Sequence, residues 1–272
     1  MLFVYYIFAI GNLYKMIIVV SPAKKLDFAS DEVKPNWSQP DYLDQSEKLV
    51  KTMRKLSRSE IANLMNLSDK LADLNYERYR DFSTPFSPAN SRQAVLAFKG
   101  DTYVGLDAET LSEEDLNFAQ NNFRILSGLY GILRPLDLIQ AYRLEMGCRL
   151  NNPKGKNLYD FWGSKLTVGL NKLMEEQNTD TIINCASNEY FKSIDENKLK
   201  GSVITPVFKI VKEGIAKSPG MMAKRARGMM ARFIIQNKIT NVDDLKKFNL
   251  DGYKFQPTLS TGEKMEFHKL SS

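Results

Sequence analysis

The sequence has very few of the side chains that build common metal and catalytic sites. It contains one histidine and two cysteines in 272 residues. Zinc sites draw on several His or Cys ligands, so we expect no metal site. A Ser-His-Asp triad would require His268, close to the C-terminus, to fold back into a pocket. Cys148 and Cys185 have no C-x-x-C spacing, and we expect both to be reduced, buried thiols.

Long hydrophobic runs are also missing. The apolar stretch at residues 1–10 has half of the roughly twenty residues that a membrane helix needs. A secretory signal would carry positive charge before its apolar run, and no positively charged residue precedes this one. We therefore expect a cytoplasmic protein that makes no membrane contact. Met16 opens a clean strand pattern, which suggests that residues 1–15 come from an upstream start. No repeat or linker divides residues 16–272, so they are expected to form a single domain.

The remaining composition is that of a globular protein with a buried core: 43% of residues are hydrophobic and 26% are charged. The pattern predicts a compact α/β fold, with a mixed sheet and surrounding helices. Strands are predicted at residues 17–20, 93–98, 123–126, 181–185 and 203–211, and near Tyr253 and Met265. Helices are predicted as two or three between residues 41 and 82 with breaks near Ser57 and Ser68, then over 112–122, 157–176 and 219–237, and after Asn241.

One predicted helix carries charge of a single sign. Residues 220–235 gather apolar side chains on one arc and four cations on the opposite arc: Lys224, Arg225, Arg227 and Arg232. No acidic residue lies between Glu213 and Asp243, so pairs within the helix cannot neutralise these cations. Cations spread along a helix match the phosphates of a nucleic-acid backbone. An ordinary solvated helix face and a membrane-surface helix remain as alternatives.

A second stretch combines glycines with a crowd of charged and polar groups. Gly128 and Gly131 follow a predicted strand and allow a tight turn or the close approach of a backbone or phosphate. Their spacing fits neither a dinucleotide fingerprint nor a Walker A loop, so we expect no cofactor. The residues that follow can form either a buried ion network that fixes the fold or a binding site: Arg134, Asp137, Tyr142, Arg143 and Glu145.

Three predicted strands end in loops that carry lysine beside hydroxyl, carboxylate or amide groups. These loops lie at residues 21–25, 99–103 and 186–192. Ligands of open α/β sheets bind at the carboxyl ends of the strands, so parallel strands would bring the three loops to one pocket. Lys24, Lys99 and Lys192 then become candidates for phosphate contacts. The candidates for acid or base catalysis are Asp101, Glu145 and Glu189.

Seven motifs, in this order, resemble the YaaA family of bacterial proteins. They are SPAKKLD at 21–27, FKGDTYVGL at 98–106, LSGLYGILRPLD at 126–137, YRLEM at 142–146, YDFW at 159–162, ASNEYFK at 186–192 and AKRARG at 223–228. The resemblance covers residues 16–270. It implies a cytoplasmic protein that protects against hydrogen peroxide and lowers free intracellular iron. It also implies an unusual α/β fold with a positively charged cleft, a helix-hairpin-helix element and DNA binding.

This chain departs from the family pattern just before the basic helix. Relatives usually carry aromatic residues there, whereas residues 217–222 read KSPGMM. We therefore do not expect bases to stack at these positions, although the cations that follow are kept.

Three functions follow from the sequence. The first is a monomeric stress protein that binds double-stranded or structured DNA. Its expected contacts are Lys224, Arg225, Arg227, Arg232, Lys24, Lys99, Arg134, Arg143 and Lys192. The second is an enzyme that acts on a nucleotide or nucleobase, with Asp101, Glu145 or Glu189 as acid or base, although no established catalytic motif is present. The third, direct iron sequestration, is disfavoured because the chain has a single histidine and no acidic cluster with ligand spacing.

Overall fold

The fold is built on a mixed β-sheet, in a computed structural model that describes residues 16–29 and 34–271. The strands in chain order are β1 (Ile17–Val20), β2 (Lys25–Leu26), β3 (Arg92–Gln93), β4 (Phe98–Lys99), β5 (Phe123–Ser127), β6 (Gly131–Leu133), β7 (Leu138–Ile139), β8 (Thr181–Cys185), β9 (Ser202–Lys212), β10 (Ile215–Lys217), β11 (Lys254–Phe255) and β12 (Lys264–Leu270). The prediction for residues 1–15 lies outside the described residues.

The main sheet has the order β11-β12-β9-β8-β1-β5-β6, and β10 pairs with β9 at its side. The five central strands β12, β9, β8, β1 and β5 run parallel, and the short strands β11, β6 and β10 are antiparallel to their neighbours. Two small ladders lie apart from this sheet and join β2 to β4 and β3 to β7. The predicted mixed sheet is therefore confirmed.

Ten α-helices surround the sheet in the described residues: α1 (Leu43–Met53), α2 (Arg58–Met65), α3 (Asp69–Asp81), α4 (Ala94–Ala97), α5 (Asp101–Leu106), α6 (Glu113–Asn122), α7 (Leu158–Trp162), α8 (Lys165–Gln177), α9 (Asn188–Phe191) and α10 (Gly220–Gln236). No helix of residues 16–29 and 34–271 combines the length and the apolar character that crossing a membrane requires.

Strand β1 shows why the centre of the sheet was predictable. Its four residues, IIVV, are all fully buried, because parallel strands are covered on both faces and therefore appear in the sequence as continuous apolar runs.

The starts of the helices could also be predicted from the sequence. Ser57 and Ser112 each form a capping box with the residue three positions later, Glu60 and Asp115. Ser68 occupies the N-cap position of α3 without a side-chain hydrogen bond to the helix.

Two predicted elements are wrong. Residues 93–98 were predicted as one strand, but they form the short helix α4 between the two-residue strands β3 and β4. A short, fully buried apolar run fits a helix turn as well as a strand, and the backbone N–H groups of Ala94 and Val95 bind the carbonyls of Asp137 and Pro135. Residues 157–176 were predicted as one helix, but Gly163, with φ of 51°, separates α7 from α8.

The two cysteines are buried free thiols, as predicted. Burial raises the pKa of the Cys185 thiol to about 12, although the nearby positive charge of Arg227 opposes the shift. Cys185 ends β8, and α10, which carries Arg227, packs against this strand.

Candidate functional site

The loops after β1 and β8 meet at the carboxyl ends of these neighbouring parallel strands. The backbone N–H of Ser187 donates to Ser21 Oγ at 2.9 Å, and the two serine hydroxyls lie 3.2 Å apart. The hydroxyl of Tyr103, from the middle lysine-bearing loop at 99–103, donates to the carbonyl of Ser21 at 3.1 Å. The three predicted loops therefore do come together around Ser21.

The middle loop arrives by a different route from the one predicted. Lys99 belongs to β4, which pairs with β2 outside the main sheet, so that Lys25 and Lys99 are register partners. Its ammonium group forms ion pairs with Asp27 and Glu109. Two carboxylates thus already balance the charge of Lys99.

A cleft of about 740 Å³ opens between this end of the sheet and helix α2. Lys24, Glu145 and Glu189 all line it. Glu145 Oε1 lies 3.2 Å from Lys24 Nζ and 3.1 Å from Arg143 Nε, and Glu189 Oε1 accepts the backbone N–H of Gly147 at 3.0 Å. Two of the three candidate carboxylates therefore face one cavity.

The third candidate, Asp101, is elsewhere. It is the first residue of α5, half-buried, and it is not among the residues that line the cleft. Lys192 is exposed, and its ammonium group lies 5.7 Å from the ring centroid of Tyr159. The hydroxyl of Tyr159 in turn donates to the carbonyl of Glu189, so Lys192 sits beside the loop that supplies that residue.

The segment that carries Arg143 and Glu145 is held by close backbone packing. A Cβ at Gly128 would come within 2.3 Å of the carbonyl oxygen of Leu144. The close approach predicted at this glycine is therefore to the protein's own backbone. Gly131, with φ of 72°, supplies the tight turn and packs against Trp162.

Cys148 lies beside Glu145 in the wall of the cleft. Its thiol donates to Glu145 Oε2 at 3.7 Å, and burial together with the carboxylate charge raises the pKa of Cys148 to about 12. A thiolate is the reactive form of cysteine, so this thiol is a structural donor at neutral pH.

The basic helix α10 crosses α5 at very short range. A Cβ at Gly228 would lie 1.8 Å from the carbonyl oxygen of Thr102, and one at Gly105 would lie 2.0 Å from that of Arg225. Helix α5 also carries Tyr103, whose hydroxyl binds Ser21. The crossing therefore fixes the first half of α10 next to the loops at the carboxyl end of the sheet.

The four cations of α10 fall into two groups. Lys224 and Arg225 are exposed, Arg227 is half-buried, and none of the three forms an ion pair in the described part of the chain. Arg232 instead donates to the carbonyls of Leu106 and Asp107, at 2.9 and 2.7 Å. Arg232 therefore caps the C-terminal end of α5.

The crowded charged stretch divides between two places. Arg134 pairs with the buried Asp137 at 3.0 Å and with Asp41 at 2.9 Å, away from the cleft that Glu145 lines. Burial raises the pKa of Asp137 to about 6, against the lowering effect of Arg134. The sequence left open whether this stretch forms a buried ion network or a binding site. Its first part forms an ion network around Asp137, and its second part supplies Glu145 to the cleft.

Sequence reasoning missed one wall of the cleft. It is formed by α2 and the turn after it, with Glu60, Asn63 and Asn66, and by the exposed Arg149. The polar face of α2 has the pattern of any solvated helix, so no signal in the sequence pointed to it. Arg149 forms no ion pair with another described residue, which adds an uncompensated cation to the cleft.

Comparison with known proteins gives consistent matches along nearly the whole chain. A family model described as "Peroxide stress protein YaaA" matches residues 16–259. A UPF0246 protein of Colwellia psychrerythraea is 54% identical over 257 residues, which cover 94% of this chain and 100% of the relative. UPF0246 proteins of two Aliivibrio fischeri strains are each 52% identical over 254 residues, covering 93% of this chain and 98% of theirs.

Proposed function

The chain belongs to the peroxide stress protein YaaA family, and on that premise we propose that it binds DNA through the cations of α10 and so protects DNA during hydrogen peroxide stress. It would do so as a monomer in the cytoplasm. The lower level of free intracellular iron that the resemblance implies is part of the same proposal, because less iron means less peroxide-driven damage to the DNA that the protein covers.

The observation that carries the proposal is the contrast between paired and unpaired cations at the carboxyl end of the sheet. Lys24, Lys99 and Arg143 each have a carboxylate within 4 Å. The exposed Lys224 and Arg225 have none among residues 16–29 and 34–271. Unpaired cations keep their full attraction for phosphate, and their binding releases the counterions condensed on DNA.

Helices α2 and α3 support a further part of the proposal. They are consecutive and joined by residues 66–68, with Asn66 in the left-handed conformation. We assign the helix-hairpin-helix-like element implied by the family resemblance to this pair. The backbone N–H groups at the start of α3 would then be available to a phosphate, since a helix N-terminus attracts anions. The cleft beside this pair is lined by Lys24 and Arg149 but also by Glu60, Glu145 and Glu189, so we propose that the positive charge of the DNA site comes from α10.

The test is the salt dependence of binding to a labelled DNA duplex. Each phosphate contact contributes a slope of about −0.9 in a plot of log affinity against log salt. Replacing both cations in an Arg225→Ala/Arg227→Ala variant should make the slope shallower by roughly 1.8. The matched control is Lys254→Ala/Lys264→Ala, which removes two exposed charges near the far edge of the sheet.

The control should keep the wild-type slope. An unchanged slope in a folded Arg225→Ala/Arg227→Ala variant, verified by circular dichroism, would refute the assignment of α10. A slope that changes equally in both variants would indicate only a general effect of net charge. The same titration with Arg232→Ala separates the two groups of cations, because Arg232 is occupied by the carbonyls at the end of α5.

A second function is favoured by one observation, the joint presence of Glu145 and Glu189 in the 740 Å³ cleft. This volume falls within the range of roughly 300–1,000 Å³ typical of small-molecule sites. An enzyme acting on a nucleotide or nucleobase would use these carboxylates as acid and base, with Lys24 holding phosphate. Mass spectrometry of intact and damaged oligonucleotides after incubation tests this. A product formed by wild type and lost in Glu145→Gln would support catalysis, and the absence of any product would leave binding alone.

A further inference from the structure

A second cleft, of about 470 Å³, lies at the other end of strand β5. It is bounded by α8, by Ile132 of β6 and by the residues just before α1. Three cations and two carboxylates line it: Arg124, Arg134, Lys172, Asp41 and Glu176. Arg124 is the second residue of β5, whereas the site around Ser21 lies where the parallel strands end. The two clefts are therefore separate.

Arg124 is unusual because it is a buried cation without a carboxylate partner. Its residue is 8% exposed, and its Nη1 donates to the carbonyls of Gln120 and Phe123 at 2.9 and 2.8 Å. No ion pair joins it to any described residue. Burial lowers the pKa of Arg124 to about 10, so the side chain remains a cation at neutral pH.

The other charges around the cleft compensate one another. Arg134 pairs with Asp41 at 2.9 Å, and Lys172 pairs with Glu176 at 3.5 Å. The carboxylates of the cleft are therefore engaged with other cations, and the charges of Asp137, Asp41 and Glu176 reach Arg124 only from beyond ion-pair distance. A buried charge without a partner is costly, which makes the cleft a place where an added anion would be stabilised.

The strand register places a second arginine close to the first. Ile125 pairs with Leu133 in the antiparallel β5–β6 ladder, so Arg124 and Arg134 are the next residues opposite one another. Like charges at opposing positions repel, and a ligand that carries two negative charges relieves this repulsion better than a single carboxylate does. The planar guanidinium fork of arginine also matches the geometry of phosphate oxygens.

The rest of the wall is suited to an organic group. Ile132, Leu170 and Leu173 are apolar, and the phenol of Tyr42 lies over Gly169. A Cβ at Gly169 would come within 2.1 Å of Tyr42 Oη, so only glycine leaves room for the ring there. The volume is several times that of a phosphate ion and within the usual range for small ligands.

We propose that this cleft binds a small organic phosphate, with its phosphate group held by Arg124, while the neighbouring Arg134 stays paired with Asp41 and Asp137, and with its organic part against Tyr42 and Leu173. The site does not depend on the proposed DNA binding, because none of the α10 cations lines it.

Isothermal titration calorimetry of the full chain tests the proposal with three probes: phenyl phosphate, benzoate and inorganic phosphate. Phenyl phosphate should bind with a stoichiometry of one, more tightly than either of the others. Arg124→Gln removes charge-assisted hydrogen bonds and should weaken its binding by about 10- to 100-fold. Lys172 is exposed, so Lys172→Glu should leave the fold intact and weaken binding by about 2- to 10-fold.

The matched control is Lys156→Glu, which makes the same charge change at an exposed residue outside the cleft and should bind like the wild type. Equal affinity of wild type and Lys172→Glu, or no saturable binding of phenyl phosphate at millimolar concentration, would overturn the proposal. Benzoate binding as tightly as phenyl phosphate would overturn the assignment to phosphates. DNA binding by Lys172→Glu should match that of Lys156→Glu, so the two proposals fail independently.

Discussion

The crossing of α5 and α10 provides the sharpest test of the architecture. Gly228 faces the backbone of α5, and an added Cβ would lie 1.8 Å from the carbonyl oxygen of Thr102 and 2.8 Å from the backbone nitrogen of Leu106. Two non-bonded heavy atoms are in favourable contact at about 3.5 Å. Gly228→Ala therefore requires the two helices to move apart by roughly 1.5 Å or more. The atoms it meets are backbone atoms, which cannot rotate away as a side chain could.

The change in the free energy of unfolding caused by Gly228→Ala has two opposed contributions. Forcing extra volume into a packed contact costs about 1–3 kcal/mol and occasionally more, and a backbone clash belongs at the upper end of that range. Replacing a helical glycine by alanine returns up to about 1 kcal/mol of helix propensity. We expect Gly228→Ala to lower the free energy of unfolding by about 2 kcal/mol, measured by urea denaturation at 25 °C.

Gly220 in the same helix provides the control. Nothing lies within 4 Å of a Cβ built there, so Gly220→Ala should be neutral or should stabilise the protein by up to about 1 kcal/mol. Unfolding of the two variants at the same urea concentration would contradict the backbone clash at Gly228. Because Gly228 positions α10, its alanine variant should also bind the DNA duplex more weakly than Gly220→Ala under conditions where both are folded.

Two further predictions concern titratable groups. With a pKa of about 12, only about one part in 10⁵ of Cys148 is thiolate at pH 7. Iodoacetamide should therefore modify Cys148 at least a hundredfold more slowly in the native protein than in urea. Glu145→Gln removes the nearby negative charge and should speed the native reaction. A native rate equal to the unfolded rate would contradict this. Burial tends to raise the pKa of Asp115, but hydrogen bonds from Lys238 and Ser112 outweigh burial and lower this pKa. The ionised Asp115 therefore stabilises the fold at pH values above its ordinary pKa, and this stabilisation is lost as the pH falls. Asp115→Asn should therefore cost about 1–2 kcal/mol at pH 7 in urea denaturation and progressively less below about pH 4, whereas a constant cost down to pH 2.5 would be the contrary result.

The parts of the fold that were predictable are those where local and long-range preferences agree. The run at Ile17–Val20 is apolar throughout because the strand is covered on both faces, and Ser112 begins a helix because its side chain caps one. The run at 94–98 is equally apolar, but its backbone groups bind the loop around Asp137, about 40 residues away in the sequence. Sequence periodicity carries no information about such a partner.

The candidate site shows the same division. The loops after β1 and β8 could be expected to meet because these parallel strands bring their carboxyl ends together, and they do meet around Ser21. The loop at 99–103 also reaches Ser21, but it follows β4 in a separate ladder, which the sequence did not indicate. Arg134 and Arg143 are nine residues apart in the sequence, yet Arg134 pairs with Asp137 and lines one cleft, whereas Arg143 pairs with Glu145, which lines the other. Which carboxylate an arginine reaches is decided by the path of the intervening chain, and composition alone cannot give it.

The same close crossing links the stability of α10 to its proposed role. Arg232 ties the helix to the end of α5, and the glycine contact at Gly228 holds its middle against Thr102. The backbone that carries Lys224 and Arg225 is therefore fixed before any ligand arrives, and only the side chains remain to be ordered. Binding loses less entropy when the charged groups stand on a rigid element. The same cations on a mobile loop would have the same net charge but would lose more entropy on binding phosphates at fixed spacing. The rigidity of α10 therefore adds to the argument from its unpaired cations for assigning DNA binding to this helix.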